Sequence, residues 1–350
     1  MRVKKSHIWW CIFFTALLFT IFWQLGCAPT LSRYYVVVAG DRVQINPSNV
    51  KNYTPLTTTL QGEKIYSSIS PDGKHVAFVY RPYSNTNLPF LPDIRVMDAE
   101  TGLNLEQITQ TQKDQEVYWP AWWRGSERLL YTRYDGYPDY YRNLYFHYYP
   151  PQGAEGYEVL RREENYVRGQ GWIEKGTPSP DGKQIAVSME TNERRKAIRN
   201  PFRRLISVEN PVIFIYNYET KTSKYLTDGQ EPTWSPDGKK IAFSRLDGEH
   251  CYIYVMNVDG GAPRRITFDP DAWDRMPCWS PSGTEIAFSS YRSGDYDIWK
   301  IKEDGTNMSQ LTTARGTEWW PSWGPGGNIF FSFYHNVQGW EIYRMQLQPK

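Results

Sequence analysis

The residue types that carry most enzyme chemistry are sparse in this sequence. Beyond the hydrophobic N-terminal stretch, the histidines are His75, His147, His250 and His335. Only His250 and His335 are expected at the same end of the fold derived below, and a zinc site uses three or four protein ligands. The sequence also lacks a Gly-x-Ser-x-Gly elbow, a His-Glu-x-x-His motif and a phosphate-binding loop. We therefore expect no catalytic residue, no metal and no cofactor.

The four cysteines fall into two groups. Cys11 lies in the hydrophobic N-terminal stretch and Cys27 follows it, which leaves Cys251 and Cys278. These two either form a disulfide in an oxidising compartment or are two isolated buried thiols. His250 and Cys251 are neighbours in an extended segment, so their side chains point apart and do not form a thiol–imidazole pair.

The N-terminus has the organisation of a signal peptide. Residues 1–7 are basic, and residues 8–23 contain no charge. This stretch is short for a spanning helix, although an uncleaved N-terminal signal anchor is the alternative. Residues 24–28, Gln-Leu-Gly-Cys-Ala, resemble a bacterial lipobox, with Gln24 where leucine is usual. The resemblance implies cleavage after residue 26 and lipid attachment at Cys27. It also implies an outer membrane lipoprotein that faces the periplasm, because Ala28 is not aspartate.

A turn of the type Ser-Pro-Asp-Gly recurs along the chain and organises it. The four clear copies begin at Ser70, Ser179, Ser235 and Ser280, and each precedes an apolar run such as Ile241-Ala242-Phe243. Degenerate copies around residues 120–125 and 321–327 complete a set of six. Proline presets the first corner of the turn, and glycine takes the positive φ that closes it. Each copy therefore predicts a tight β-hairpin.

A second strand pair follows each hairpin, so every unit has four antiparallel strands. The fifth unit shows this as Asp297–Ile301, a turn at Asp304-Gly305, and Ser309–Thr312. A sheet of this size cannot bury both of its faces alone, so the units must stack. The aromatic share of 16%, with 26 glycines and 24 prolines, also leaves little room for long helices. The sequence therefore predicts an all-β, six-bladed β-propeller.

The ends of the chain predict how the ring closes. The sixth unit stops after its third strand, which spans Trp340 to Gln346. Leu56-Thr57 precedes Ser70 by the same spacing that separates Ile266-Thr267 from Ser280. We therefore expect an N-terminal strand to complete the last blade. The predicted organisation is a signal peptide at 1–26, a tether and closing segment at 27–53, and the propeller at 54–350.

The repeat resembles the WD40-like propeller of the TolB family over residues 54–347. The resemblance rests on the pattern Pro-x-Trp-Ser-Pro-Asp-Gly-Lys-x-Ile-Ala-Phe followed by Asp-Ile-Trp/Tyr, Asp-Gly and Leu-Thr. TolB carries an α/β domain before its propeller, and functions of that domain are not transferred. Oligogalacturonate lyases have a similar propeller with a histidine-rich metal site. The resemblance therefore implies a fold and leaves the function open.

The connections between strands divide the propeller into two ends. The Ser-Pro-Asp-Gly turns lie on one end, here called the turn face. Loops of variable length lie on the other, here called the loop face, where binding usually resides. The loop from Glu190 to Pro211 is rich in arginine, and Tyr134–Tyr149 is rich in tyrosine. The candidate binding residues are Arg194, Arg195, Arg199, Tyr140, Tyr141, Trp172, Trp273 and Trp319.

Two groups of tryptophans have different expected positions. Trp122, Trp234, Trp279 and Trp323 occupy the same repeat position, which predicts packing between blades. Trp172, Trp273, Trp319 and Trp320 are expected to precede first strands and to line the loop face.

These observations favour a membrane-tethered, non-catalytic propeller that binds a protein or glycan of the bacterial cell envelope. The alternative is a glycan-processing enzyme, lyase-like or hydrolase-like, with its site in the propeller funnel; carboxylates such as Glu163, Glu164 and Asp295 would then be needed there. The formal charge is +2, and removing the basic N-terminus leaves the chain near neutral, so no nucleic acid partner is expected. We expect a monomer.

Overall fold

The computed structural model describes residues 50–83, 91–123, 125–135, 141–151, 157–160, 171–191, 211–314, 316–335 and 339–347. In these ranges the chain forms 24 β-strands and a 3₁₀ turn at Pro325–Gly327. The strands make six four-stranded sheets, which confirms the predicted six-bladed β-propeller. No helix in the described ranges is long and apolar enough to cross a membrane.

The blades follow one another along the chain, except that the first described strand joins the last blade. The strand bounds are as follows. β1 (Val50–Pro55) is the fourth strand of blade 6. Blade 1 contains β2 (Glu63–Ile69), β3 (His75–Arg81), β4 (Asp93–Asp98) and β5 (Glu106–Gln107). Blade 2 contains β6 (Gln115–Trp123), β7 (Arg128–Asp135), β8 (Tyr141–Tyr148) and β9 (Tyr157–Leu160). Blade 3 contains β10 (Gly171–Pro178), β11 (Gln184–Thr191), β12 (Val212–Asn217) and β13 (Thr222–Asp228). Blade 4 contains β14 (Gln230–Trp234), β15 (Lys240–Asp247), β16 (His250–Asn257) and β17 (Arg264–Arg265). Blade 5 contains β18 (Asp274–Trp279), β19 (Glu285–Ser290), β20 (Asp297–Lys302) and β21 (Ser309–Gln310). Blade 6 also contains β22 (Thr317–Trp323), β23 (Asn328–His335) and β24 (Gly339–Leu347).

Each Ser-Pro-Asp-Gly turn is fixed by its own side chains. Ser70 Oγ donates to Asp72 Oδ1 at 2.6 Å and accepts from the backbone N–H of His75 at 2.9 Å. Asp72 Oδ1 also accepts from the backbone N–H of Lys74 at 3.0 Å. Gly73 takes φ 75°, a conformation that glycine reaches without the steric cost of a Cβ. The turns that begin at Ser179 and Ser235 repeat the same three bonds.

The Leu-Thr pair of the repeat fastens the fourth strand to the third. In blade 5, Thr312 Oγ1 accepts from the backbone N–H of Ile298 at 2.8 Å, and the preceding Leu311 is fully buried. The same bond joins Thr109 to Ile94 at 2.8 Å and Thr267 to Ile253 at 3.0 Å. The motif therefore satisfies a buried backbone donor where the short outer strand ends.

The same motif closes the ring between the two ends of the chain. β1 pairs antiparallel with β24, with Val50 opposite Leu347. Leu56 N–H then donates to Ile342 O at 2.9 Å. Thr57 Oγ1 accepts from Ile342 N–H at 3.0 Å and donates to Glu341 Oε2 at 2.5 Å. The predicted closing strand is thus confirmed, and it uses the bond that Thr312 makes within blade 5.

A buried ion pair extends this closure from blade 6 to blade 1. Lys64 Nζ lies 2.6 Å from Glu341 Oε1, and the two side chains are 1% and 3% exposed. Lys64 Nζ also donates to the carbonyls of Leu60 at 2.5 Å and Gly62 at 2.8 Å. Burial lowers the pKa of Lys64 and raises the pKa of Glu341, whereas each charge favours the charged form of its partner. Removing either partner would strand the other as an uncompensated buried charge.

Apolar residues fill all six junctions between neighbouring blades. At the junction of blades 4 and 5, Ile253 and Ile266 pack with Trp279 and Phe288. At the closing junction, Leu56 and Ile342 of blade 6 pack with Phe78 of blade 1. The other four junctions have comparable buried clusters. Each blade therefore depends on both neighbours to bury its faces.

The tryptophans that precede the turns link adjacent first strands, as predicted. Trp122 Nε1 donates to Ser68 O at 2.9 Å, from blade 2 to blade 1. Trp234 donates to Thr177 O at 2.9 Å, and Trp279 to Thr233 O at 3.2 Å. Trp323 is buried among residues of blades 5 and 6. These side chains thus serve blade packing.

Two buried carboxyl groups meet where blade 5 adjoins blade 6. Asp297 begins β20 and is 2% exposed, and Glu318 in β22 is fully buried. Neither forms an ion pair within the described ranges. Burial raises the pKa of Asp297 to about 6. Burial and the neighbouring Asp297 raise the pKa of Glu318 well above its ordinary value.

A first prediction concerns the closing threonine. Thr57→Val keeps the shape of the side chain but leaves Ile342 N–H without its acceptor and Glu341 without one donor. We expect urea denaturation to show a loss of about 1–3 kcal/mol in unfolding free energy, as for other buried unsatisfied groups. The exposed neighbour Thr58 provides the control, Thr58→Val. Equal stabilities for the two variants would contradict the closure described here.

A second prediction concerns pH. A carboxyl whose pKa is raised on folding stabilises the protein at low pH, and this contribution is lost as pH rises through the folded-state pKa. We expect the unfolding free energy attributable to Asp297 and Glu318 to fall between about pH 4 and pH 7, with a limit of about 1.4 kcal/mol per pH unit for each proton. Glu318→Gln should flatten this slope and stabilise the protein at pH 7.

Denaturation at a series of pH values measures this slope, with the exposed Glu249 as the control position. Glu249→Gln should keep the wild-type slope. A Glu318→Gln variant with an unchanged slope, or one less stable than wild type at pH 7, would show that Glu318 is not held protonated by burial.

Candidate functional site

The first strand of every blade lines the central channel, and each carries a bulge there. In five blades the bulged residue has a positive φ of 55° to 59°. These residues are Tyr66, Trp119, Glu231, Met276 and Trp320, each four positions before the first residue of its turn. Such values are uncommon for residues other than glycine. In four of the five, proline follows, and proline has no N–H to leave unpaired at the bulge.

The bulges bring aromatic rings from three adjacent blades together. The ring centroid of Tyr66 in blade 1 lies 4.1 Å from that of Trp119 in blade 2 and 4.3 Å from that of Trp320 in blade 6. Trp320 also packs edge-on against Trp319 at 5.1 Å and against Trp340 at 5.2 Å. The rings meet at tilted or edge-on angles, and Tyr66, Trp119 and Trp320 remain partly exposed.

A cavity of about 500 Å³ lies between these rings and the turn face. Its outer rim contains proline from five of the turns, all exposed to solvent. Neighbouring turns pack closely there, since a Cβ on Gly73 would lie 3.2 Å from Pro325 Cδ. The inner wall carries hydroxyl groups such as those of Thr177 and Ser322, which bond to adjacent strands. The cavity is thus rigidly framed and open to solvent at the turn face.

Among the described residues that line this cavity, Lys175 is the only charged one. It occupies in blade 3 the position that Tyr66 occupies in blade 1. Its Nζ lies 5.8 Å from the ring centroid of Trp119, and it has no ion pair within the described ranges. Burial lowers the pKa of Lys175, and the nearby Glu231 carboxylate opposes this effect. The thiol of Cys278 stays neutral, because burial raises its pKa to about 11.

Glu231 shares the ring position with Lys175 but turns out of the cavity. Its Oε1 accepts from Arg275 Nη2 at 2.5 Å. Its Oε2 accepts from Ser244 Oγ at 2.7 Å and from the backbone N–H of Met276 at 2.8 Å. The Glu231 charge is therefore neutralised within blades 4 and 5.

Other acids near the loop face are also engaged. Both Asp274 oxygens accept from Arg292 Nη2, at 2.8 and 2.9 Å. Asp135 is paired with Arg133 at 2.9 Å. No group of three or more metal-ligating side chains converges in the described part of the chain.

Among the described residues, the histidines and cysteines belong to no cluster that could hold a metal ion. His75 lies within 3.3 Å of the Tyr149 hydroxyl, and His147 is buried in the third strand of blade 2. Cys251 and Cys278 are free thiols, which favours the second of the two alternatives given above. Burial raises the pKa of Cys251 to about 12. The side chain of His335 lies outside the described atoms, as do Glu163 and Glu164.

Many candidate binding residues also lie outside the described ranges. This is true of Cys27, Tyr140, Arg194, Arg195 and Arg199. For Tyr141 in β8 and Trp172 in β10 only the strand position is described. Those predictions stand untested.

Two candidates are described, and they differ in exposure. Trp273 is 37% exposed at the loop face, beside Phe268 at 63%. Trp319 is only 9% exposed and packs edge-on against Tyr296 at 4.9 Å.

The predicted placement of three tryptophans was wrong. Trp172, Trp319 and Trp320 lie inside first strands and do not precede them; Trp273 does precede β18. The bulge in β22 offsets the alternation of the strand, so Trp319 is buried on one side and Trp320 turns into the channel. Trp320 consequently lines the cavity on the turn side, away from the loop face.

Sequence reasoning also missed Lys175, Tyr66 and Trp119. The signal was present, because all three stand four positions before a repeated turn. Aligning the six repeats at that position lists the residues that face the channel.

Comparison with known proteins agrees with this architecture. Residues 206–350 match the family described as the TolB beta propeller domain. An uncharacterized protein of Agrobacterium fabrum is 33% identical over 106 residues, which are 30% of this chain and 36% of that protein. Tol-Pal system protein TolB of Anaeromyxobacter dehalogenans is 32% identical over 116 residues, 32% of this chain and 22% of that protein. The matched segments thus span well under half the length of these relatives.

Solved structures extend the similarity to most of the chain. TolB from Acinetobacter baumannii superposes with a TM-score of 0.56 at 20% identity, covering 75% of this chain and 57% of that one. An oligogalacturonate lyase in complex with manganese gives a TM-score of 0.55 at 14% identity, covering 87% and 96%. At these identities the similarity establishes the fold alone. Together with the six closed blades and the match over residues 206–350, it shows that the chain has a β-propeller similar to that of TolB.

Proposed function

We propose that this propeller is a non-catalytic binding module of the bacterial cell envelope and that its partner is a protein. The observation that carries the proposal is the cavity on the turn side, which is open to solvent and whose described lining residues include one charged side chain. Glycosidic bond cleavage by hydrolysis generally uses two carboxyl groups that face the substrate. No aspartate or glutamate is among the described residues that line this cavity, which favours binding over catalysis.

The name of one relative favours a protein partner over a glycan. One relative is named a Tol-Pal system protein, and we carry over from it only the expectation of a protein partner. The polar walls and the proline rim suit a slender segment of polypeptide.

We further propose that the chain is a monomeric lipoprotein of the outer membrane that faces the periplasm. The support is the lipobox-like stretch around Cys27. Two or three acyl chains hold a soluble domain at a membrane, since each buried CH₂ contributes about 0.8 kcal/mol. The arginine-rich loop at Arg194, Arg195 and Arg199 would then be a second contact surface on the loop face.

Lipid attachment has a direct test in labelling with an alkyne fatty acid in a diderm bacterial host. The wild-type chain should incorporate the label and sediment with membranes. Cys27→Ala should incorporate none, whereas Cys11→Ala should behave as wild type. A Cys27→Ala chain that stays in the membrane fraction would favour the uncleaved signal anchor.

Binding can be tested by affinity capture from detergent-solubilised envelope of the source bacterium. We expect the wild-type chain to recover one protein in stoichiometric amount. Pro236→Trp places an indole on the rim of the cavity and should abolish capture. Pro270→Trp, on an exposed residue of the loop face, is the matched control and should leave capture unchanged.

Three outcomes would contradict the proposal. They are capture that survives Pro236→Trp, capture lost only with Pro270→Trp, and turnover of an oligosaccharide panel by the purified chain. The last outcome would favour the glycan-processing enzyme.

A further inference from the structure

We propose that Lys175 is an anion-binding residue that receives a single carboxylate, the C-terminal carboxylate of an extended peptide that enters from the turn face. The site lies in the cavity of the proposed binding function and rests on that function. What is new is the chemical group that is recognised and the residue that recognises it.

The described lining of the cavity is nearly uncharged. Of the described residues that line it, only Lys175 is charged. Glu231 occupies in blade 4 the repeat position that Lys175 occupies in blade 3, and its carboxylate already accepts from Arg275 at 2.5 Å. The three side chains together therefore carry one net positive charge, and an anion in the cavity would neutralise it.

The ammonium group of Lys175 differs from that of Lys64 in its surroundings. Lys175 Nζ makes no hydrogen bond to a described protein group, although it carries three donors. By comparison, the ammonium group of Lys64 has three oxygen partners within 2.8 Å. The Lys175 side chain is only partly buried, so its donors are open to a ligand atom in the cavity.

A ligand would reach Lys175 through the entrance of the cavity at the turn face. Exposed proline residues of five turns rim the entrance, and neighbouring turns pack against one another around it. Tyr66, Trp119 and Trp320 pack together beyond the cavity on the opposite wall. A chain end reaches the ammonium group through such an entrance more easily than a folded surface does. This favours a terminal carboxylate over an acidic side chain in a globular partner.

The other five blades have different residues at the position of Lys175. Tyr66, Trp119, Met276 and Trp320 provide no charge, and Glu231 is turned away. The fold therefore does not require an ammonium group at this position, since the other blades close without one. Its presence in blade 3 alone is accounted for by recognition of an anion.

The experiment is calorimetric titration of the full chain with acetyl-pentaalanine carrying a free C-terminal carboxylate. The matched probe is the same peptide with a C-terminal amide, and acetate tests a small free carboxylate. We expect the amide to bind about 10- to 100-fold more weakly, the range for losing a hydrogen bond to a charged group. Acetate should bind more weakly than the acid peptide.

Three variants assign the effect to the residue. Lys175→Met keeps the length of the side chain and should weaken binding of the acid peptide to the level of the amide. Lys175→Arg keeps the charge and should retain a preference for the acid. Lys183→Met removes an exposed lysine from a turn on the same face and should change nothing. Circular dichroism and urea denaturation confirm that each variant is folded.

Equal affinity for acid and amide, undiminished binding by Lys175→Met, or no binding of the acid peptide would overturn the proposal. If acetate binds as tightly as the peptide, the ligand of the site is a small free carboxylate and not the end of a peptide. Envelope capture with Lys175→Met separates this proposal from the preceding one. If the partner is still recovered, the binding function stands and the carboxylate site fails; if acid peptides bind but no partner is recovered, the reverse holds.

Discussion

Closure of the ring by β1 is the constraint on which the rest of the structure depends. Each four-stranded blade has two apolar faces, and only neighbours on both sides bury them. Thr57, Lys64 and Glu341 join segments almost 300 residues apart in sequence through hydrogen bonds and an ion pair that are nearly inaccessible to water. A buried pair of this kind adds little when compared with apolar packing, but breaking it is costly. The pair joins β2 of blade 1 to β24 of blade 6 at the junction that closes the ring.

The closed ring also determines what the channel can contain. Tryptophan side chains bond first strands together at three of the junctions, and every first strand has a register shift in its pairing with the second strand. The side chain at that position has no structural partner in common across the six blades, which lets it vary between tyrosine, tryptophan, lysine, glutamate and methionine. The blades thus provide a rigid frame, and one variable position per blade provides the chemistry of the channel.

The sequence predicts much of this frame because its repeated residues act locally. Serine, aspartate and glycine fix each turn through bonds within six residues, and the Leu-Thr pair predicted closure because Thr57 repeats the role of Thr312. The bulges were not predicted, since they depend on pairing with the second strand and the residue type at the bulge itself differs between blades. Lys175 was missed for the same reason. The raised pKa values of Asp297 and Glu318 arise from burial by two different blades, which no local pattern records.

Hydrogen exchange of two matched amides tests the closure most directly. Ile342 N–H is bonded to Thr57 across the seam, and Ile298 N–H is bonded to Thr312 within blade 5, in the same geometry. If β1 closes the ring as an integral strand, both amides exchange only through global unfolding and show the same free energy of opening. An Ile342 amide that exchanges much faster than Ile298, as at a frayed chain end, would show that the ring is not closed by β1.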